Sequence, residues 1–381
     1  MSVAITTVWA GYLISFTTVA EFTIIGGGVI GLSIARALHK RGARRITIIE
    51  RGTCGREASW AAAGMLAPNA ETEAIDDFYR LCSASNALYP QFAAELLEET
   101  GIDIELRQTG TLELAFDPAG AEHLAGKYER QTASNIDVER LSGENVLRLE
   151  PAVSEDVILG LHYPKDGHVE NRKLVTALIA YARKNGIEII ENSEVRIENG
   201  QFRIAGPDLS SRDPEVIILA AGAWSSFIKP ALSVKPIRGQ VLEFDGGKGV
   251  LSRVIYGAGA YLVPRADGRI LVGATSEDVG FVKEVTESGV RDLADAAVRT
   301  VPAIADLKMN DAWSGFRPFA PDGLPVIGEM DGMFVATGHY RNGILLAPVT
   351  AELVADKIIN GTDSECFRYF SPDRQLFAVG S

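Results

Sequence analysis

The most constraining feature of this chain is the segment from Phe22 to Glu50, which has the pattern of strand, glycine-rich turn, helix and second strand. Its residues 26–31, GGGVIG, match G-x-G-x-x-G just before a helix predicted over 29–41. The first glycine permits a tight bend, the second lets the backbone approach a pyrophosphate, and the third lets the helix pack on the sheet. Because a helix N-terminus attracts phosphates, the segment predicts a site for an ADP-containing dinucleotide.

The second strand of this unit, Arg45 to Ile49, is followed by an acidic residue. Glu50 lies 19 residues beyond Gly31. A carboxylate at this spacing accepts hydrogen bonds from a ribose 2′-hydroxyl group and disfavours a cofactor phosphorylated there. FAD and NAD both fit these residues, so the unit alone does not choose between them.

Length and charge limit the classes of protein to which the chain can belong. Its 381 residues suffice for two domains, and its net charge of −13 argues against a nucleic-acid partner, which needs a basic face. Cys54, Cys82 and Cys366 form no CxxC pair and fit a reducing compartment such as the cytoplasm. The five histidines lack metal-ligand spacing, so no metal site is expected.

Residues 1–20 precede the dinucleotide unit and are interpreted as an appended leader. The stretch from Val8 to Ala20 is mostly apolar, but no Lys or Arg precedes it, so the positive region of a signal peptide is missing. The stretch is also short for a membrane span. An upstream start codon or a disordered tail explains such a leader, and a membrane-associating segment is the alternative.

The order of predicted elements indicates how the chain is divided. Segments of dinucleotide-binding type occur at the start, middle and end, and two blocks that alternate like antiparallel strands lie between them. We expect an α/β protein with a discontinuous Rossmann-like domain for the dinucleotide and a second, antiparallel β-rich domain for the substrate. The predicted boundaries are 21–86, 151–227 and 319–381 for the first domain, and 87–150 and 228–318 for the second. Asn199-Gly200 is predicted to form a hairpin turn within the first domain.

Four segments carry a resemblance to a known family. They are IIGGGVIGLSIARAL with its following IIE, ASWAAAGMLAP, YLVPRADGRILVGAT with WSGFRPFAPDGLPVIG, and GHYRNGILLAP. Together they resemble the D-amino-acid oxidase superfamily of FAD-dependent oxidoreductases, and most closely the glycine oxidases of the thiamine pathway. The resemblance covers nearly everything from Glu21 to the C-terminus. It favours FAD over NAD, because NAD-dependent folds need no second, C-terminal cofactor loop.

The resemblance implies which residues hold FAD. The phosphates are expected at the glycine-rich turn, the ribose at Glu50 and Arg51, the adenine at the backbone of Val195, and the flavin pyrimidine ring in the loop 339–345. A helix predicted over 343–360 adds the positive end of its dipole to this loop. The implied FAD-binding residues are Gly26, Gly28, Val29, Ile30, Gly31, Glu50, Arg51, Ala58, Ser59, Ala63, Gly64, Met65, Val195, His339, Tyr340, Arg341, Asn342, Gly343, Ile344 and Leu345.

The resemblance also implies three catalytic residues. Arg317 is expected to clamp the substrate carboxylate, with a phenolic hydrogen bond from Tyr261, because only arginine presents a rigid bidentate fork. Arg341 resembles the family's second active-site arginine, near flavin and substrate. Tyr256 is expected either to line the cavity or to belong to the core. No cysteine lies close to Arg317, where sarcosine oxidases attach flavin, so the FAD is expected to be non-covalent.

The implied reaction is oxidation of glycine, sarcosine or a small D-amino acid. The α-hydrogen leaves as hydride to flavin N5, which gives an imine or oxo acid, and O2 then reoxidises the flavin to yield hydrogen peroxide. Such catalysis needs orientation and electrostatics more than an acid–base pair. The alternative is a D-amino-acid or sarcosine dehydrogenase that passes electrons to another acceptor. The resemblance also implies a homotetramer, and a role in thiamine biosynthesis or in catabolism.

The chain departs from this family near the expected pocket mouth. Arg56, Glu57 and Trp60 replace small or differently charged residues, and Gly259 stands where the family has a histidine. The preferred substrate among the small amino acids and amines therefore stays open.

Overall fold

The computed structural model describes residues 5–9, 12–16, 20–72, 75–198, 201–205, 214–247 and 249–375. Within these ranges the strands are β1 Ile5–Trp9, β2 Tyr12–Phe16, β3 Glu21–Ile25, β4 Arg45–Ile49, β5 Met65–Leu66, β6 Thr111–Ala115, β7 Glu139–Ser142, β8 Leu159–Tyr163, β9 Gly167–His168, β10 Glu188–Ile190, β11 Glu194–Glu198, β12 Gln201–Ala205, β13 Val216–Leu219, β14 Lys235–Asp245, β15 Val254–Gly257, β16 Ala260–Pro264, β17 Arg269–Gly273, β18 Lys308–Phe319, β19 Val326–Met330 and β20 Met333–Thr337. The α-helices are α1 Val29–Lys40, α2 Ala58–Ala61, α3 Asp77–Thr100, α4 Pro118–Ala133, α5 Gly143–Leu149, α6 Asn171–Lys184, α7 Ser225–Ile228, α8 Glu287–Thr300, α9 Ala347–Asn360 and α10 Glu365–Tyr369.

The glycine-rich turn belongs to a six-stranded sheet with the strand order β10, β4, β3, β13, β20, β19. Neighbouring strands are parallel, except that β19 pairs antiparallel with β20. The strands β3 and β4 are apolar and mostly buried, as is typical of parallel strands covered on both faces. The carboxyl ends of β3, β4 and β13 meet at one edge of the sheet, and helix α1 begins there.

Helices α1, α3, α6 and α9 pack together beside this sheet and form its main core. Ten of the twelve residues of α1 are buried, which fits a helix enclosed by sheet and neighbouring helices. Helix α3 begins where Asp76 accepts the Tyr79 N–H at 2.8 Å, and it ends at Gly101, whose φ of +76° permits a left-handed cap.

A second sheet has eight strands in the order β18, β14, β17, β16, β15, β6, β8, β7. Its neighbours are antiparallel, except that β15 and β6 are parallel. The register places Tyr256 between Glu113 and Tyr261, and Tyr261 opposite Gly273. Residues directly opposite one another share a face of a sheet, so these residues form one row across it.

The expected fold class is confirmed, because a parallel sheet and a separate antiparallel sheet are both present. The last long helix begins at Ala347, so the prediction that it begins near Gly343 is wrong. Residues 343–346 form a turn, in which the Leu346 N–H donates to Asn342 O at 2.8 Å. Helix α9 therefore does not place its first turn in the loop.

The division into two domains stays a proposal, and the structure refines its details. Strand β8, which falls within the predicted segment 151–227, pairs with β6 and β7 in the eight-stranded sheet. Helix α3 packs along its length on α6 and α9, although a predicted boundary falls at residue 87. The predicted Asn199-Gly200 turn lies outside the described residues. Among the helices that the structure describes, none has the length and apolarity needed to cross a membrane.

Candidate active site

A single cavity of about 500 Å³ is lined by residues of both sheets. It extends from the glycine-rich turn, past α2 and the loop after β20, to the row of side chains on the eight-stranded sheet. One end is thus built around the dinucleotide motif and the other around Arg317. We refer to these as the nucleotide end and the substrate end.

The glycines of the turn have two different functions. Gly26 has a φ of +112°, and a Cβ there would lie 2.3 Å from Ala220 O. A Cβ at Gly31 would lie 2.1 Å from Gly26 O, so these two glycines are required by close packing of the turn and helix. At Gly28 a Cβ would meet only Ser59 Oγ, at 3.3 Å. The backbone at Gly28 is therefore accessible to a phosphate group.

Polar groups beside the turn suit phosphate and ribose. Ser59 Oγ accepts the Val29 N–H at 2.9 Å, which leaves the hydroxyl hydrogen for a phosphate oxygen. Glu50 accepts the N–H groups of Gly27 at 2.8 Å and Gly52 at 2.9 Å, one on each carboxylate oxygen. Each oxygen has a second lone pair, so the fixed carboxylate keeps acceptor capacity for ribose hydroxyl groups.

Arg51 and Val195 also line the nucleotide end. The Arg51 guanidinium lies 4.2 Å over the Trp224 ring and 3.6 Å from Glu57. Val195 is the second residue of β11 and is buried, at 7% exposure. Both residues therefore lie at the same end of the cavity as the glycine turn.

The loop after β20 leaves the same edge of the parallel sheet as the glycine turn and lines the cavity too. His339 is buried and its Nε2 lies 3.1 Å from Thr350 Oγ1, while burial lowers the pKa of His339 to about 3. The imidazole is therefore neutral and anchors the loop. Tyr340, with a φ of +47°, donates its N–H to Pro318 O at 3.0 Å, which ties the loop to the strand that carries Arg317.

Arg317 lies over a glycine at the substrate end. A Cβ at Gly239 would lie 2.4 Å from both terminal nitrogens of the Arg317 guanidinium, so a larger residue there would displace the guanidinium. Arg317 Nη1 donates to Thr275 O at 3.0 Å. Burial raises the pKa of Tyr261, while the nearby positive charge of Arg317 lowers it. Within the described ranges Arg317 forms no salt bridge, so its fork is available to an anion.

Glu71 also lines the cavity, although the sequence did not indicate it. Its carboxylate accepts the Tyr256 hydroxyl at 2.7 Å, and both residues line the substrate end. Glu113 lines it too and is paired with the buried Lys127 at 2.9 Å. No sequence signal singles out Glu71, because it follows an irregular segment and matches no motif.

Nearly all expected site residues meet in this one cavity. Those that line it are Gly26, Gly28, Val29, Ile30, Glu50, Arg51, Ala58, Ser59, Ala63, Gly64, Met65, Val195, Tyr261, Arg317, His339, Tyr340, Arg341, Asn342, Gly343 and Ile344. Gly31 instead packs against the turn, as the motif requires. Leu345 is buried in the helical core, and its carbonyl accepts the Ser85 hydroxyl at 2.6 Å.

Of the four residues that depart from the family pattern, three line the cavity and one does not. Arg56, Glu57 and Gly259 line the cavity, and a Cβ at Gly259 would meet nothing within 4 Å. Trp60 belongs to a different place: its ring packs on Trp313, 5.6 Å between centroids, and under Arg172 at 3.7 Å. Trp60 is not among the residues that line the cavity, because α2 turns its ring toward β18, although Arg56, which does line it, lies 5.8 Å from the Trp60 ring centroid.

These observations first define a class of protein. A glycine turn at the carboxyl edge of a parallel sheet, facing an arginine on an antiparallel sheet across one cavity, is an enzyme site for a dinucleotide and a small anion. The residues fit FAD, since the backbone at Gly28 is open, the Glu50 carboxylate is fixed, and a second loop, after β20, lines the same cavity.

Comparison with known proteins then gives the family. Residues 21–357 match the family model described as FAD dependent oxidoreductase, DAO, and the chain belongs to this family. It is 39% identical over 370 residues to a bifunctional protein ThiO/ThiG from Synechocystis sp., covering 94% of this chain and 54% of that protein. It is 35% identical over 371 residues to a glycine oxidase from Geobacillus kaustophilus, covering 94% and 98%.

The fold comparison agrees. The crystal structure of the Geobacillus kaustophilus glycine oxidase superposes with a TM-score of 0.86 at 35% identity, covering 92% of this chain and 97% of that one. The chain spans about half the length of the bifunctional relatives that it matches. The cofactor of this protein is FAD.

Proposed function

We propose that this protein catalyses the oxidative deamination of glycine or another small amino acid or amine, such as sarcosine or a small D-amino acid. The observation that carries the proposal is the Arg317 guanidinium, which lies over Gly239 at the substrate end without a salt-bridge partner among the described residues. Relatives named glycine oxidase support glycine as the substrate.

The nucleotide end and the loop after β20 are proposed to hold FAD. The backbone at Gly28 and the Ser59 hydroxyl would bind the phosphates, Glu50 the ribose, and the loop from His339 to Ile344 the flavin ring. The bound FAD supplies a hydride acceptor, a chemistry that no side chain provides. Among the described residues no cysteine lines this cavity, which supports non-covalent binding.

The protein's own side chains would bind and orient the substrate. Arg317 binds the carboxylate through two parallel N–H···O bonds, and the Tyr261 hydroxyl donates a third. Because the guanidinium is fixed by Thr275 and by close contact with Gly239, the substrate is held with its α-carbon in one position. Arg341, whose guanidinium lies 5.6 Å from the Tyr340 ring centroid, adds positive potential where negative charge develops.

We further propose that O2 is the electron acceptor, with an imine or oxo acid and hydrogen peroxide as products, and that the enzyme acts in thiamine biosynthesis. Relatives named ThiO/ThiG support this pathway. A cytoplasmic location agrees with the free cysteines, and a homo-oligomer is proposed by similarity.

The test is the visible spectrum of the purified protein without oxygen, before and after addition of glycine. The flavin absorption band is expected to bleach with glycine and to return when air is admitted, with one peroxide formed per reduction. A band that persists with glycine, sarcosine and D-alanine would refute the substrate class. A band that bleaches but does not return with air would instead indicate a dehydrogenase with another acceptor.

A further inference from the structure

The substrate end contains a carboxylate to which the proposed reaction gives no role. Glu71 is half-buried and lines the cavity together with Arg317 and Tyr261. Its Oε1 accepts the Tyr256 hydroxyl at 2.7 Å. Its Oε2 receives no hydrogen bond from the part of the chain that the structure describes. The protein thus positions Oε1 of the Glu71 carboxylate, and Oε2 is available to a ligand.

The backbone beside Glu71 is fixed by buried ionisable groups. Asp166, in the turn between β8 and β9, accepts the N–H groups of Asn69 at 3.3 Å and Ala70 at 2.9 Å. Lys127 on α4 donates to Ala70 O at 2.7 Å. Burying such groups is costly unless each is well bonded, so this arrangement indicates a segment whose position matters. It holds Glu71 at the cavity wall.

The charges around Glu71 match an amino acid. Burial raises the pKa of the Glu71 carboxyl, while the Tyr256 hydrogen bond and the positive charges of Arg341, Arg317 and Lys127 lower it. The other titratable groups that face Glu71 are Tyr261, Asp166 and Cys82. A substrate with a carboxylate and an ammonium group needs a cation and an anion in the same cavity, and Arg317 and Glu71 supply them.

We propose that Glu71 binds the ammonium group of the amino acid whose carboxylate Arg317 holds, and takes from it the proton that the amine must lose before oxidation. This inference rests on the proposed function. In the proton transfer, one N–H bond of the ammonium group breaks and an O–H bond forms on Glu71 Oε2. Neither group is oxidised or reduced in this step. The amine is left neutral, with the lone pair that carbon–nitrogen double-bond formation requires. A carboxyl with a raised pKa is better suited to hold that proton than an ordinary one.

The test compares Glu71→Gln with the wild type in FAD-loaded protein, using glycine as substrate and glycolate as a competitor. Glycolate has the same carboxylate but a hydroxyl group in place of the ammonium. Glu71→Gln is expected to lower the efficiency of flavin reduction by glycine roughly 10- to 100-fold near neutral pH, because a charged hydrogen bond is lost. Glycolate binding is expected to be unchanged or tighter, since a negative charge has been removed from its surroundings.

The pH dependence gives a second readout. The deficit of Glu71→Gln is expected to shrink at high pH, where more glycine arrives with a neutral amine. Glu71→Asp is expected to restore part of the activity, and Glu122→Gln, an exposed position on α4, is the matched control. Equal weakening of glycine and glycolate would indicate a merely structural role and overturn the inference. Unchanged glycine efficiency would overturn it as well.

A second variant keeps the inference testable if Glu71→Gln loses FAD. Tyr256→Phe removes only the hydroxyl that donates to Glu71, so the pKa of the carboxyl is expected to rise. The acid limb of the pH profile for flavin reduction should then move to higher pH, and an unmoved limb would count against Glu71. If wild-type flavin is reduced by no small amino acid, the proposed function fails first. If the wild type is reduced and the variants match it, only the role of Glu71 fails.

Discussion

The two ends of the cavity are built in different ways. At the nucleotide end, the groups that face a ligand are mainly backbone atoms and small side chains from one continuous unit and its neighbours, such as Gly28, Val29 and Ser59. At the substrate end, they are large side chains such as Tyr261 and Arg317, from strands far apart in the chain. A local motif therefore defines the first end, whereas sheet register defines the second.

This difference predicts how each end responds to substitution. At the nucleotide end, the absence of a glycine side chain leaves room for a ligand or for close packing of the backbone. At the substrate end, the absence of a side chain at Gly239 leaves room for the guanidinium of Arg317. Substitutions at the two ends should therefore separate loss of cofactor from loss of substrate.

The largest effect is expected from Gly28→Val. Its side chain would fill the space beside Ser59 where the pyrophosphate approaches, so the FAD dissociation constant should rise about 100-fold or more, about 3 kcal/mol. The ratio of flavin to protein absorbance after purification measures this. Gly126→Ala on α4, where a Cβ meets only the flexible end of Arg130 at 3.3 Å, is the control and should keep its FAD. A variant with a full complement of FAD would show that phosphate does not bind there.

Arg317→Ala tests the substrate end directly. The variant should keep its FAD but lose roughly 100- to 1000-fold in kcat/KM for carboxylated substrates, since about 3 to 4 kcal/mol of charge-assisted bonding is removed. Steady-state kinetics with glycine measures the loss. Arg317→Lys keeps the positive charge but loses the bidentate geometry, so its kcat/KM should lie between those of the wild type and Arg317→Ala. An unchanged KM in Arg317→Ala would remove the clamp role.

Gly239→Ala is expected to reproduce part of that loss without removing a polar group. Its Cβ would lie 2.4 Å from the guanidinium nitrogens of Arg317, which is the flexible end of a side chain and moves more readily than the backbone. A shift of about 1 Å should raise KM for glycine roughly 10-fold or more while FAD content and melting temperature stay close to wild type. Loss of FAD instead would mean that the two ends are not separable.

The smallest effect is expected on the pH dependence of stability, through Asp166, which binds the backbone beside Glu71. Burial raises the pKa of Asp166 to about 7, from an ordinary value of 3.8. Between those two pH values the folded protein binds one more proton at Asp166 than the unfolded chain, so this group makes stability fall as pH rises, with no further change above about 7. The melting-temperature difference between wild type and Asp166→Asn should therefore decrease from pH 4 to pH 7. A difference that rises with pH over this window would contradict the raised pKa.

The sequence allowed the nucleotide end to be predicted almost completely. The strand, turn and helix from Phe22 to Lys40 agree with the structure to within a residue, because the glycine spacing and apolar runs act over short distances. The same holds for the strand Arg45–Ile49 and for Glu50 after it. The resemblance extended the prediction to Arg317, Tyr261 and the loop after β20, all of which line the cavity.

Other features depended on long-range packing. Trp60 was expected near the pocket mouth, but its ring packs against Trp313 and Arg172 and does not line the cavity. The last helix was expected to begin near Gly343, but a turn precedes Ala347. Each expectation followed a local pattern, and in each case contacts with distant parts of the chain determined the outcome.

The sequence by itself thus determined the class of cofactor and the elements that bind it, since a glycine turn between strand and helix is a local structure. Only the tertiary structure placed Glu71 beside Tyr256 and in the same cavity as Arg317. These residues lie on separate segments, and no spacing along the chain encodes their approach. The register of the eight-stranded sheet and the buried contacts of Asp166 and Lys127 bring them to one cavity.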